Sequence, residues 1–414
     1  MGSYTDLTMD AYPVHSSKSY VSDISCIFCE SDKKIFGRKT NERNKAVWGN
    51  IDDEDIEVAY EYQTTVQIAI ERLEVLGSSL NKTKQDFIES KDKEIQELTS
   101  FLEFPDTNSV NRYYTDKITL LESSNFNDLM KAFIEIRTKK VPNYETDKDY
   151  GISKLAQYLI DDGWLLNFPC SDFEFYYRAF LESCDKDAFV IQDITEVVNA
   201  GYYEPKEKVI TSLMEKQEKI TILTEGPSDI NILSKSIQLL YPHLFDYYNF
   251  KDFKVSNASG SAHQLFLEVK ALIAINHKEK VIALFDNDVE GIKQFSELKK
   301  INIPNNFVVL TYPNIALLEN YPTSENIIKN LNGISGSIEM YLGKDILKEN
   351  GEFIPVELSN QKIPHGVIKY KDNLQKKYFK KIKKCCKDKS CIKNYDWTEI
   401  ELLLNTIFKA FIKC

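Results

Sequence analysis

The chain has 414 residues, 43% hydrophobic and 28% charged, with few Gly (15) and Pro (12) and many Tyr (23) and Phe (23). That is enough chain for two or three hydrophobic cores and too little Gly and Pro for long disordered linkers. A formal charge of -11, from 52 basic and 63 acidic residues, disfavours non-specific adhesion to nucleic acid but leaves room for a local basic patch or an acidic metal site.

No apolar run approaches the roughly 18 residues needed to cross a bilayer. The opening "MGSYTDLTMDAYPVHSSKSY" has no basic segment followed by an apolar core, so no secretory signal is read, and a cytoplasmic location without membrane contact is expected. In that compartment the eight cysteines are reduced thiols. Cys26 and Cys29 have the spacing of half a zinc site, yet they sit in an alternating, strand-like run where thiols pack as small hydrophobes.

Along the first 50 residues polar positions alternate with apolar or aromatic ones, which predicts short strands and turns. In "VAYEYQTTVQIAIERLEVLG", Val58, Tyr62, Val66, Ala69, Leu73 and Leu76 recur at helical spacing, and Gly77 fits a C-cap. Further helical patterns cover about 83–103 and 125–139, so the front half reads as a mixed, mainly helical module over 1–210. From about residue 218 short apolar runs alternate with amphipathic segments. "ITILT", "FKVSNAS", "VIALFD" and "NFVVLTY" read as strands, and "INILSKSIQLLY", "HQLFLEVKALIAI" and "VEGIKQFSELKK" as helices. Such alternation specifies α/β architecture, a doubly wound, mainly parallel sheet covered on both faces, here over 211–345. A lysine-rich helical segment, 346–414, completes the chain. Lys376 to Lys393 holds nine Lys against the single acid Asp388.

Chemistry-bearing residues gather where strands end. "VIALFDND" delivers Asp286 and Asp288 two apart beyond an apolar strand, and side chains two apart on extended backbone point the same way. "TILTEGPSD" puts Glu225 at another strand tip and Asp229 at the start of the next helix. In open parallel sheets ligands bind at the carboxyl ends of strands. Clustered carboxylates there suit Mg²⁺, which prefers such oxygens and keeps positions for phosphate. Each pair alone is also explained by a turn or a helix cap.

Taken together, Glu225-Gly226 with Asp229, then Asp286-x-Asp288 and Gly291, resemble the Toprim signature of topoisomerases, primases and a group of nucleases. That resemblance implies a Toprim-like fold, Glu225 as ligand or general acid/base, and Mg²⁺ (or Mn²⁺), one or two ions, on Asp229, Asp286 and Asp288. Topoisomerases are larger and carry a tyrosine nucleophile, and bacterial primases carry a zinc ribbon of which only "CIFC" is present. No Gly-x4-Gly-Lys-Ser/Thr loop occurs, so no ATPase is evident. "MGSY", "DITEVVNAGYY", "GSIEMYLG" and "HGVIKYKDNLQKKYF" further resemble the HEPN/Toprim-associated family, suspected of acting in bacterial anti-phage conflict. The HEPN ribonuclease pair, Arg followed four to six residues later by His, is absent, so the front half is not credited with that activity.

The resemblance thus implies a metal-dependent endonuclease acting on DNA or RNA. Glu339 is a further candidate metal ligand, or a solvated helix acid. Lys371 is a candidate catalytic cation, with Lys369 its rival. Lys376, Lys377, Lys380, Lys381, Lys383 and Lys384 are candidates for a phosphate-backbone track, with Tyr378 and Phe379 for stacking, or for the solvated face of a helix. "SNASGSAHQ" reads as an anion nest beside His263, or as a turn capped by Ser259 or Ser261. Expected partners are a nucleic-acid substrate, a protein of a defence operon and a second copy of the chain. The rival readings are a non-catalytic metal-binding sensor or scaffold, and a topoisomerase- or primase-like enzyme.

Overall fold

The computed structural model describes residues 2–102, 108–142, 149–160, 170–214, 219–251, 253, 260–360 and 364–412. Two compact units divide the chain, Met1–Gln217 and Glu218–Cys414. Among the described residues no helix is long and apolar enough to cross a membrane.

The N-terminal unit is built on a five-stranded antiparallel sheet in the order β2-β1-β5-β4-β3. Its strands are β1 (Tyr4–Met9), β2 (Tyr12–Lys18), β3 (Lys33–Lys39), β4 (Ile56–Thr65) and β5 (Phe189–Asp193). Helices α1 (Val66–Leu76), α2 (Leu80–Phe101), α3 (Phe126–Thr138) and α4 (Phe173–Glu182) belong to the same unit. The helix expected from about residue 58 begins only at Val66. Residues 56–65, "IEVAYEYQTT", form a strand paired on both edges, as their β-branched and aromatic side chains favour. Thr65 then starts the helix by accepting the Ile68 N–H, and Gly77 ends it at φ 102°; only a residue without Cβ takes that backbone freely. Cys26 and Cys29 are buried thiols, one in a turn and the other at the cap of a 3₁₀ segment, not in a strand.

The C-terminal unit is organised by a four-stranded sheet in the order β10-β8-β6-β7. Its strands are β6 (Ile220–Thr224), β7 (Tyr248–Phe250), β8 (Val281–Phe285) and β10 (Phe307–Thr311), all parallel. The short β9 (Asn287–Asp288) pairs instead with Ser335 and Gly336. Helices α5 (Pro227–Leu240), α6 (Ala262–Ala274) and α7 (Val289–Leu298) connect the strands. Leu223, Val281, Ala283, Phe285 and Phe307 from the sheet form one core cluster with Leu265, Val269 and Leu298 from the helices. "FKVSNAS" falls almost wholly outside the described residues, and the strand partner of β6 is Tyr248–Phe250.

Chain order and strand order together locate the crevice. From β6 the chain steps outward to β7, then returns to place β8 on the other side of β6. The chain leaves β6 toward one edge of the sheet and β8 toward the other, so the topological switch point lies between the carboxyl ends of β6 and β8. Beyond residue 346 the chain is not purely helical. Val356–Leu358 pairs with Gly366–Ile368 ahead of helices α8 (Lys371–Lys387) and α9 (Thr398–Phe408).

Candidate metal centre

The register of β6 on β8, Thr224 beside Leu284, brings the next residues of both strands together. Glu225 Oε1 accepts the Asp286 N–H at 2.8 Å. Gly291 makes this closeness sterically feasible, since a Cβ there would lie 2.3 Å from the Asp286 carbonyl oxygen and 2.9 Å from Glu225 Oε1. Gly260 plays the same part on the other side, where a Cβ would lie 2.5 Å from the Glu225 carbonyl oxygen.

Asp229 is buried in the first turn of α5, and its Oδ1 accepts the Tyr312 hydroxyl at 2.8 Å. Tyr312 follows β10, itself buried and packed edge-on to Tyr341. Asp288 is the N-cap of α7, its Oδ1 accepting the Gly291 N–H at 2.8 Å, while its Oδ2 lies 3.8 Å from His365 Nδ1. Asp286 is half-buried, and its Oδ1 is inaccessible with no hydrogen bond among the described residues.

The electrostatics set these acids apart. Burial first, then the charges of Asp288 and Asp229, push the Glu225 carboxyl well up from its usual range, against the Asp286 N–H, which pulls it down. Burial and the nearby Glu339 raise Asp229, opposed by Tyr312. Burial and the charges of Asp229, Glu225, Asp288 and Glu339 raise Asp286 as well. Like charges sharing a site without a counter-charge disfavour ionisation in this way. Among the described residues no Lys or Arg pairs with Glu225, Asp229 or Asp286.

Glu339 is almost fully buried, and both its oxygens are engaged. Oε2 lies 3.2 Å from Lys371 Nζ and accepts the Ser337 hydroxyl at 2.8 Å, while Oε1 accepts the Gln375 amide at 2.8 Å. Burial pushes this carboxyl up, but Lys371, Ser337 and Gln375 overcome it and hold it below its usual range. The structure therefore brings Lys371 to the cluster through Glu339. Its rival Lys369 pairs with Glu357 at 2.6 Å.

The lysine track needs one correction. Lys381 is 3% exposed, its ammonium 3.0 Å from Asp345 Oδ1 and 4.0 Å from the centre of the Trp397 ring. A cation caged by a carboxylate, two carbonyls and aromatic rings cannot also meet a phosphate. Tyr378 is likewise buried, sharing a hydrogen bond with Ser236, so it cannot stack on a base. Lys376, Lys377, Lys380, Lys383 and Lys384 are exposed. Ser256 to Ser259 lie outside the described residues. Ser261 caps α6, accepting the Gln264 N–H, and His263 is an exposed side chain stacked on Phe266.

Sequence reasoning missed Tyr312, Ser337, Gln375 and His365. The one local signal was for Tyr312, the first hydroxyl beyond β10, the fourth parallel strand.

The family model for HEPN/Toprim N-terminal domain 1 matches residues 1–217, just over half of the chain. This chain belongs to that family. The match to the HEPN/Toprim N-terminal domain ends where the first compact unit ends, so the acids of the second unit lie outside it. No curated protein and no solved structure matches the chain.

Glu225, Asp229, Asp286 and Asp288 are hard oxygen donors of the kind Mg²⁺ and Mn²⁺ take. Asp286 Oδ1 is a buried acceptor without a partner, a costly arrangement that a cation would relieve. Among the described residues no three His, Cys, Asp or Glu side chains are already drawn together as a metal-holding group. Glu225, Asp229 and Asp288 are each turned toward a hydrogen bond instead. The residues fit the ion by chemistry and by the vacant acceptor.

Proposed function

We propose that this chain is a metal-dependent endonuclease that cleaves phosphodiester bonds of DNA or RNA, working in the cytoplasm in bacterial anti-phage defence. The proposal reads 211–345 as a Toprim-like, doubly wound domain and 346–414 as its lysine-rich companion. The single observation that carries it is Asp286 Oδ1, buried and unpartnered at the carboxyl end of β8 beside Glu225. Membership of the HEPN/Toprim N-terminal domain family supports the nucleic-acid and defence setting.

Asp286, Asp288 and Asp229 would hold the ion, Mg²⁺ or Mn²⁺, with Glu225 at its edge. Bound there, the ion supplies electrophilic assistance to a phosphate oxygen and a more acidic water. Glu225 accepts the Asp286 N–H through Oε1, so Oε2 is the atom that takes or gives a proton. Its raised affinity for protons belongs to the metal-free site, and the charge of a bound ion would lower it. Glu339, expected as a ligand, serves instead as the counter-charge that holds Lys371 toward the substrate's developing negative charge. Exposed Lys376, Lys377, Lys380, Lys383 and Lys384 track the phosphate backbone.

The test is incubation of the purified chain with plasmid, single-stranded DNA and tRNA, with and without Mg²⁺ or Mn²⁺. Metal-dependent cleavage that disappears in Asp286→Ala and Glu225→Ala is the expected result. Plasmid relaxed but left intact would indicate strand passage. The hydrogen bonds that occupy Asp229 and Asp288 favour a second reading, a non-catalytic metal-binding sensor or scaffold. That reading predicts every substrate intact, also with partner proteins of the same operon present.

A further inference from the structure

One sheet face of the N-terminal unit carries a line of acids. Asp6 on β1 pairs across the ladder with Asp193 on β5, and Asp193 pairs with Glu61 on β4. Two guanidiniums serve this group. Arg38 binds Glu57, Glu61 and Asp193, and Arg43 binds Glu57 and Glu196. Asp6 is left over. It is 3% exposed, Ser16 and Trp48 hydrogen-bond its carboxyl, and the charges nearest to it, Asp193 and Glu196, are acidic. Among the described residues its Oδ1 has no hydrogen bond at all, and no Lys, Arg or His lies in salt-bridge range of it.

Asp6 lines a cavity of about 750 Å³. Ser16, its cross-strand neighbour, lines it too, with Val47 and Val141 as apolar wall and exposed Lys45 and Lys140 as cations. This volume lies in the range of small-molecule sites, about 300–1,000 Å³. A buried carboxylate oxygen without a donor calls for one; Oδ1 is itself closed to solvent, so a donor entering the cavity that Asp6 lines reaches it only as the wall around Asp6 gives way. His15 and the exposed acid Glu42 line it as well, so the two lysines are the only places on this lining for an anion, Asp6 calls for an N–H donor, and the valines take an apolar middle.

We propose that this cavity binds a nucleotide, its base presenting an amino or ring N–H group to Asp6 Oδ1 and its phosphate meeting Lys45 and Lys140. The site is separate in sequence from the acids of the C-terminal unit, and the proposal does not depend on nuclease activity.

The experiment is calorimetric titration of the full-length chain with AMP, GMP, CMP and UMP, and with adenosine, guanosine, inorganic phosphate and spermidine. At least one nucleotide is expected to bind, about tenfold or more weakly in Asp6→Ala. Lys45→Ala/Lys140→Ala should weaken the nucleotide and leave the matching nucleoside unchanged. Asp6→Asn provides the folding control: losing an uncompensated buried charge, it should melt no lower than the wild type without ligand. Absence of binding by all four nucleotides overturns the proposal. So does nucleotide binding indifferent to Asp6→Ala, and so does Asp6-dependent binding of spermidine alone.

Discussion

In the N-terminal unit, Glu57, Glu61, Asp193 and Glu196 surround Arg38 and Arg43, and every one of these acids meets a guanidinium. At the ends of β6 and β8, Glu225, Asp229 and Asp286 are also withdrawn from water, yet no basic side chain pairs with them among the described residues. The protonation preferences diverge at Glu57, though not at Glu61, whose carboxyl burial still pushes up. Despite burial, Arg43 and Arg38 hold Glu57 below its usual range, whereas burial and mutual repulsion push Glu225, Asp229 and Asp286 up. Acids that hold a fold together come with their counter-charges in the same chain. Acids left uncompensated await one from outside, and Asp6, at the end of the compensated row, belongs to that second kind.

Breaking the compensated group should have the largest effect. Arg38→Ala strands Glu61 and Asp193 together and leaves Glu57 to Arg43 alone, and losing the partner of buried charges costs about 3–5 kcal/mol. Urea denaturation of the full chain should show that loss in the N-terminal unit, and a change below about 1 kcal/mol would erase the contrast. Next comes the uncompensated group. Asp286→Ala should lower cleavage by about 100- to 1,000-fold, the size expected when one preorganised electrostatic partner is removed, while leaving the ligand-free protein at least as stable as wild type. A variant that loses both activity and stability would put Asp286 among the structural acids.

A smaller effect separates Glu57 from the uncompensated group by pH. Since the folded, ligand-free chain binds protons at Glu225, Asp229 and Asp286 more tightly than the unfolded chain, these groups cost nothing well below about pH 4. Their penalty grows as pH rises through the ordinary carboxylate range toward their raised values, so the melting temperature should fall along that path. Saturating Mg²⁺ should flatten the fall, adding about 2.7 kcal/mol at a hundredfold excess over its Kd. Glu57 has the opposite sign, its contribution being lost as pH falls below the ordinary range. The smallest effect is expected of Tyr312→Phe, which removes one hydrogen bond to Asp229 and should weaken Mg²⁺ binding by about 1 kcal/mol in calorimetry. An unchanged affinity would leave Tyr312 a packing residue.

How far the sequence foretold these features depended on how local each signal was. The apolar runs of β6, β8 and β10 announce themselves, because fully buried parallel strands need unbroken hydrophobicity, and the acids at their tips follow directly. Residues 56–65 misled because Val58, Tyr62 and Val66 share helical spacing across a strand-to-helix junction, and the pairing with β3 and β5 that decides the matter comes from distant segments. Lys381 misled for the same reason. A run of lysines shows charge, but not that Asp345 and Trp397 close around one of them. The engagement of Glu339 by Ser337, Lys371 and Gln375, like the hydrogen bond from Tyr312 to Asp229, exists only once the chain has folded back on itself.

The most direct test is a crystal of the full-length chain grown with Mn²⁺, with data collected for anomalous scattering. The account predicts a peak within coordination distance of Asp286 Oδ1 and of at least one of Asp288, Asp229 and Glu225. A well-ordered crevice with no such peak, or with a lysine ammonium seated on Asp286, would contradict it.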